Sequence, residues 1–217
     1  MTEKVIAIVG MGGGISMGVA CKFGKENFII AMIGRNGKKL REYKDRLEAL
    51  GIKSEFYIGN AADEYSLKDS LKRIEEELGT PDVLLYNVAN LKHINLLEET
   101  TEGLVHDYKM NVVGAVISAK EVIPGMTQRG TGCILLTGGC YAMYPDPNFG
   151  SLGLGKASVR NLNLSLSKAV ENTGIVVGTV TVCGIVNVNN PKHNPDNIAL
   201  KFWEIYINGK NGAEIVL

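Results

Sequence analysis

The sequence has no surplus of either charge. Lysine and arginine total 23, and aspartate and glutamate also total 23. No basic surface is on offer to a phosphate backbone, so nucleic acid is not an expected partner. No apolar run is long enough to span a bilayer. Met1-Thr2-Glu3-Lys4 leads straight into a short apolar strand without a signal-peptide pattern. No membrane role is expected, and a cytoplasmic location is. Cysteine is sparse: Cys21, Cys133, Cys140 and Cys183 show no CxxC spacing and no histidine cluster. That argues against a zinc site or a disulfide framework. No metal is expected, and Cys21, Cys133 and Cys183 read as reduced thiols. Repeats, linkers and low-complexity tracts are absent too, so residues 1–217 read as a single domain.

What is present suits that domain. The chain is 45% hydrophobic and 21% charged over 217 residues, enough for a substantial core. Its 26 glycines sit at the ends of apolar runs, where turns need them. Strand-like runs alternate with helical patterns throughout. The strands are Val5–Val9, Phe28–Ile33, Phe56–Ile58, Val83–Tyr86, Cys133–Thr137, Ile175–Val182 and Ala213–Leu217. Helices are expected from Gly14 to Lys25, around Leu40–Leu50 and Leu67–Leu78, from Thr101 to Met126, from Ser151 to Asn172, and from Asp196 to Ile207. Continuous apolar strands separated by helices predict an α/β fold: a doubly wound, Rossmann-like parallel sheet of about seven strands with helices on both faces.

The first strand runs into Gly10-Met11-Gly12-Gly13-Gly14-Ile15-Ser16-Met17-Gly18. A strict GxGxxG fails here, because its last position falls on Ile15 or Met17. GxxxGxG fits, with Ser16 as the final small residue. Such a turn lets the backbone approach a pyrophosphate, and the following helix offers free N–H groups to the anion. Gly10, Gly12, Gly13, Gly14, Ile15 and Ser16 are therefore candidate cofactor contacts. At the end of the second strand, Ile33-Gly34-Arg35-Asn36 offers no carboxylate for ribose hydroxyls. Arg35 is a planar cation suited to a phosphate, with Lys38 and Lys39 nearby. Arg35 and Asn36 join the candidate set, and NADP(H) is favoured over NAD(H).

Together these features resemble the short-chain dehydrogenase/reductase family over nearly the whole chain. Gly59-Asn60-Ala61-Ala62-Asp63 resembles the family's adenine-binding strand end, with Asn60 for the usual aspartate. Leu85-Tyr86-Asn87-Val88-Ala89 resembles half of its Asn-Asn-Ala-Gly motif. Met110-Asn111-Val112-Val113-Gly114 resembles the long helix that carries a catalytic asparagine. Lys156-Ala157-Ser158-Val159 resembles the active-site helix. Cys183-Gly184-Ile185-Val186-Asn187-Val188 resembles the Pro-Gly motif. The resemblance implies cofactor contacts from Asn60, Ala61, Asn87, Val88, Ala89, Lys156 and Val186. It implies catalytic roles for Lys156 and Asn111, and assembly as a homodimer or homotetramer through the two long helices.

The departures concern chemistry. The family's tyrosine, four residues before the lysine, is Leu152 here, and its serine is Gly139. In the enoyl-acyl-carrier-protein reductase branch the tyrosine stands seven before the lysine, which here is Phe149. Neither leucine nor phenylalanine can act as an acid. Tyr141, after the fifth strand, is the first candidate for a replacement and Tyr144 the second. Cys140, as donor or thiol nucleophile, and His93 fall at the same edge. The segment Asn189–Pro195 makes a short lid, which excludes water poorly. Two functions fit these residues. One is an oxidoreductase acting on a small carbonyl or enoyl substrate with a non-standard proton donor. The other is an NADP(H)-binding protein without turnover, regulatory or structural. A third reading, an assembly module without dinucleotide, ranks below both.

Overall fold

The computed structural model describes residues 3–217; Met1 and Thr2, on which part of the signal-peptide reading falls, lie outside the described residues. From β1 (Lys4–Val9) the chain steps out through β2 (Phe28–Gly34) to β3 (Ser54–Ile58). It then returns to lay β4 (Val83–Tyr86) on the other side of β1, and continues through β5 (Gly132–Gly139), β6 (Ile175–Val182) and β7 (Ala213–Val216). The result is a 7-stranded sheet in the order β3-β2-β1-β4-β5-β6-β7, with all neighbours parallel. This is the doubly wound arrangement that the alternation of runs predicts.

The strands are apolar on both faces because both are covered. In β1, Val5, Ala7 and Val9 enter one core while Ile6 and Ile8 enter the other. The first core is closed by α3 (Glu64–Leu78), α5 (Gly114–Arg129) and α6 (Gly150–Ala169); the second by α1 (Ile15–Lys25), α2 (Gly37–Glu48) and α7 (Pro195–Asn208). Helices α1 and α7 cross closely. A Cβ on Gly18 would lie 2.5 Å from the Pro195 carbonyl oxygen, so only glycine fits. Beside that crossing Phe23 meets Trp203 edge-on at 5.1 Å and Phe28 at 5.2 Å.

The expected helix Thr101–Met126 is observed in three pieces. A regular helix α4 (Thr101–Tyr108) widens into a π turn over Lys109–Val113 before α5 carries the axis past Pro124 to Arg129. The buried Tyr86 hydroxyl, at the end of β4, donates to the Met110 carbonyl inside this turn. Helix α6 stops at Ala169, short of the expected Asn172; Asn172 is left-handed at φ 64° and turns the chain toward β6.

The expectation of no disulfide, with Cys183 reduced, is corrected. Cys140 and Cys183 are bonded. Strand β5 runs two residues beyond the expected Thr137, and its ladder with β6 continues through Gly138↔Thr181 and Gly139↔Val182. The next step of that register sets Cys140 opposite Cys183, with Cα atoms 4.7 Å apart, the ordinary distance between neighbouring strands. A link across a sequence separation of 43 restricts the unfolded chain and contributes about 4 kcal/mol in the chain-entropy description. Cys21 and Cys133 are free thiols.

Candidate functional site

Strand order reverses between β1 and β4, and a crevice of about 190 Å³ opens at their carboxyl ends, where open α/β sheets bind ligands. Gly10, Arg35, Asn60, Ala61, Asn87, Val88 and Ala89 all line it. Met11, Ile33, Gly59 and Met110 complete much of the wall. Of these, Met110 was detectable from its place beside Asn111; the others are backbone-dominated positions whose side chains carry no signal.

The turn after β1 is fixed by its backbone. Gly10 has φ +88°, and a Cβ there would stand 2.7 Å from Val88 Cγ2 and 2.8 Å from the Asn87 carbonyl oxygen. The amides of Gly10 and Met11 both donate to Ile33 O at 3.0 Å. Ser16 is fully buried. Its hydroxyl donates to Gly10 O at 2.8 Å and accepts from Asn87 Nδ2 at 2.6 Å. Ser16 and Asn87 therefore brace the turn from behind.

The front of the turn is open. A Cβ on Gly12 or Gly14 would meet nothing within 4 Å, and on Gly13 nothing nearer than the Tyr43 hydroxyl at 3.7 Å. Packing does not require glycine at Gly12 or Gly14, so the space beside them is free for a ligand. Helix α1 begins there, from Gly14 into Ile15, with no side-chain cap and no acidic residue in its first turn. Its leading N–H groups and positive dipole end suit an anion. By contrast α2, α3 and α7 are capped by Asn36, Asp63 and Asn194. Arg35 is exposed and makes no hydrogen bond or ion pair among the described residues. These features fit the phosphates of a dinucleotide. Asn36 is spent on its cap, accepting from Lys39 N at 3.0 Å, and Asn60 Oδ1 accepts from Ala62 N at 3.1 Å.

A second cluster lies at the ends of β5 and β6. Lys156, on α6, is buried; its Nζ donates to Thr137 O at 2.7 Å. Burial pushes this ammonium down to about 8. The Lys156 stem passes Gly139, where a Cβ would touch it at 3.3 Å. One residue earlier on the helix, Gly155 admits Asn111, whose Nδ2 would lie 2.9 Å from a Cβ there. Asn111 sits inside the π turn, accepts from Asn90 N at 3.1 Å, and keeps a buried Nδ2 without a partner. A network that was not read from the sequence supports it: buried Asp107 accepts from Asn90 Nδ2 and from Ser151 Oγ, both at 2.8 Å. Its members are spread over separate elements, so spacing alone gives no clue to it.

The replacement-acid candidates part company. Tyr141 is half-buried and its ring stacks on Phe149 at 4.8 Å; His93 meets Phe149 edge-on at 4.9 Å. Tyr144 is 70% exposed. Cys140 is in the disulfide, so it is no free donor or nucleophile in this form. Leu152 is 3% exposed, an apolar side chain in the core. Val186 packs against the second core, apart from the crevice.

The family model for short chain dehydrogenases matches residues 4–198. The chain belongs to the short-chain dehydrogenase family. Among curated proteins, this short-chain dehydrogenase is similar to the acetoacetyl-CoA reductase of Cupriavidus necator, 25% identical over 185 residues that cover 83% of this chain and 74% of the relative. It is also similar to a short chain dehydrogenase of Pseudocercospora fijiensis, 26% identical over 178 residues, 80% of this chain and 57% of that one. Its fold is shared by the crystal structure of YwfH, described as an NADPH-dependent reductase involved in bacilysin biosynthesis, with a TM-score of 0.90 at 16% identity over 99% of this chain and 96% of YwfH. Among the described residues, no helix of this dehydrogenase is long and apolar enough to cross a membrane.

Proposed function

We propose that this chain is an NADP(H)-dependent oxidoreductase that moves a hydride to or from a small carbonyl or enoyl substrate. The observation that carries the cofactor reading is Arg35, an unpaired guanidinium at the rim of a crevice with no carboxylate at the end of β2. The NADPH dependence printed for YwfH, and the reductase name of the Cupriavidus necator protein, point the same way. The dinucleotide, when bound, supplies the hydride. Lys156 would hold the nicotinamide ribose from its buried seat on Thr137. Asn111, whose Nδ2 has a free donor, would hold a water between Lys156 and solvent. The Tyr141 hydroxyl would give the proton to the substrate oxygen or carbon, its ring held by Phe149. A homodimer or homotetramer through α4–α5 and α6 accords with the exposed Val105, Tyr108, Leu154 and Leu164.

A second reading has its own observation. A core leucine at position 152 and a lysine stem filling the space beside Gly139 leave no hydroxyl where the family keeps two. On that reading the protein binds NADP(H) without turnover. Fluorescence titration with NADPH and NADH tests the shared premise. NADPH should bind at least about tenfold more tightly, and Arg35→Ala should remove that preference. Equal affinities in the unaltered protein would sink the Arg35 assignment. Incubation with NADPH and a panel of aldehydes, ketones and enoyl thioesters then separates the enzyme from the binder.

A further inference from the structure

We propose that Cys140–Cys183 is a reversible redox site, opened by a dithiol reductant, which controls how firmly the segment between β6 and α7 is held. The bond joins the two loops that leave β5 and β6 at the carboxyl edge of the sheet. Neither cysteine is buried; both are partly exposed, which gives an attacking thiolate an approach. One partner begins the turn Cys140–Ala142, which carries Tyr141 onto Phe149. The other begins the segment 184–194, which runs to α7.

That segment is held mostly by itself. Asn190 Oδ1 accepts from the amides of Lys192 and His193, each at 2.9 Å, and Asn187 Oδ1 accepts from Asn189 N at 2.8 Å. Ile185 and Val188 stand 84% and 76% exposed, so they anchor nothing. At its far end the segment is tied down by the Asn194 cap of α7. At its near end the ties are the amide of Cys183, which donates to Leu217 O at 2.9 Å, the packing of Val186 on the second core, and the disulfide. The disulfide is the one tie that joins this segment to the Tyr141 turn covalently, and it can be removed without breaking the sheet.

The chemistry balances. A thiolate of the reductant attacks one sulfur, forms a mixed disulfide and expels the other cysteine as a thiolate. The second thiol of the reductant then displaces the remaining cysteine. The reductant leaves as a disulfide, and its two protons and two electrons remain on Cys140 and Cys183. The reduced form carries a thiol directly after Gly139, and its segment 184–194 keeps its chain link to β6 but loses its covalent link to the Tyr141 turn. Any consequence for turnover rests on the oxidoreductase reading above; the exchange itself does not.

The test uses the unaltered protein without cofactor, in dithiothreitol and in its oxidised form, read by iodoacetamide labelling and by hydrogen exchange. Under native conditions dithiothreitol should make Cys140 and Cys183 alkylatable while Cys133 stays protected, and exchange into oxidised dithiothreitol, which takes up the two electrons, should restore the bond. Amide exchange over residues 185–193 should rise by about tenfold or more on reduction, with β1 and β4 unchanged. The double variant C140S/C183S should exchange at the fast rate in both buffers. If the pair resists excess dithiothreitol in the folded protein, or residues 185–193 exchange equally in both states, the proposal fails. Should the double variant not fold, the unaltered protein still decides. Because no dinucleotide is present, failure here leaves the Arg35 reading standing, and failure of NADPH binding leaves this one standing.

Discussion

At the ends of β1 and β4 the crevice is built on a tightly fitted backbone turn. Gly10 is pressed against Asn87 and Val88, and Ser16 and Asn87 lock behind it. At the ends of β5 and β6 the wall is made of side chains and a covalent link: Lys156 on Thr137, Asn111 on Gly155, Tyr141 on Phe149, Cys140 to Cys183. The backbone turn leaves no room for a side chain at Gly10. A side-chain wall can change its chemistry one residue at a time. The crevice therefore stands beside a cluster with leucine and glycine at the family's hydroxyl positions.

Three experiments press on this contrast. The largest effect is expected from Gly10→Val. The new side chain would meet Val88 and the Asn87 carbonyl at a left-handed backbone position, so NADPH affinity should fall by more than about 100-fold and stability by about 2–3 kcal/mol. Urea unfolding and fluorescence titration measure both, and unchanged binding would break the backbone-turn account.

Lys156→Met comes next. The unfolded ammonium keeps its proton to about 10.5 while the folded one releases it near 8. Between those values the unfolded chain binds more protons, so the stability of the unaltered protein gains with rising pH, by about 3 kcal/mol from this group. The variant lacks that gain. The difference between the two in denaturant midpoint should therefore shift in favour of lysine from pH 8 to 10.5; a constant difference would show that Lys156 is not held in a desolvated site. The smallest effect is Tyr141→Phe, which keeps the ring on Phe149 and removes only the hydroxyl. Turnover, where the substrate panel reveals it, should drop by about 100-fold or less, mainly in kcat. An unchanged rate would remove Tyr141 as the acid and leave solvent in that role.

The fold was legible because apolar runs and their spacing carry it: every expected strand is found, and the alternation with helices gives the parallel sheet, though not the order of its strands. The crevice was legible where glycines and the bare end of β2 stand in fixed relation to a strand, as with Gly10 and Arg35. The disulfide was missed for a narrow reason. Ending the fifth strand at Thr137 left Cys140 in a free loop, whereas two further ladder steps bring it opposite Cys183. Glycines at 138 and 139 disguised that continuation, since glycine usually weakens a strand. The Asp107–Asn90–Ser151 network was invisible because its residues come from separate elements and share no spacing.

The π turn at Lys109–Val113 carries one consequence for engineering this scaffold. A wide turn holds a surplus residue, and its excision would let α4 and α5 anneal into one uninterrupted rod. Helix α4 would then swing by about a quarter-turn relative to α5. A single deletion there should leave a well-folded, helical protein in which Asn111 no longer faces Gly155. That is an alteration no point substitution at Asn111 can imitate, because the amide would be kept and only its aim lost.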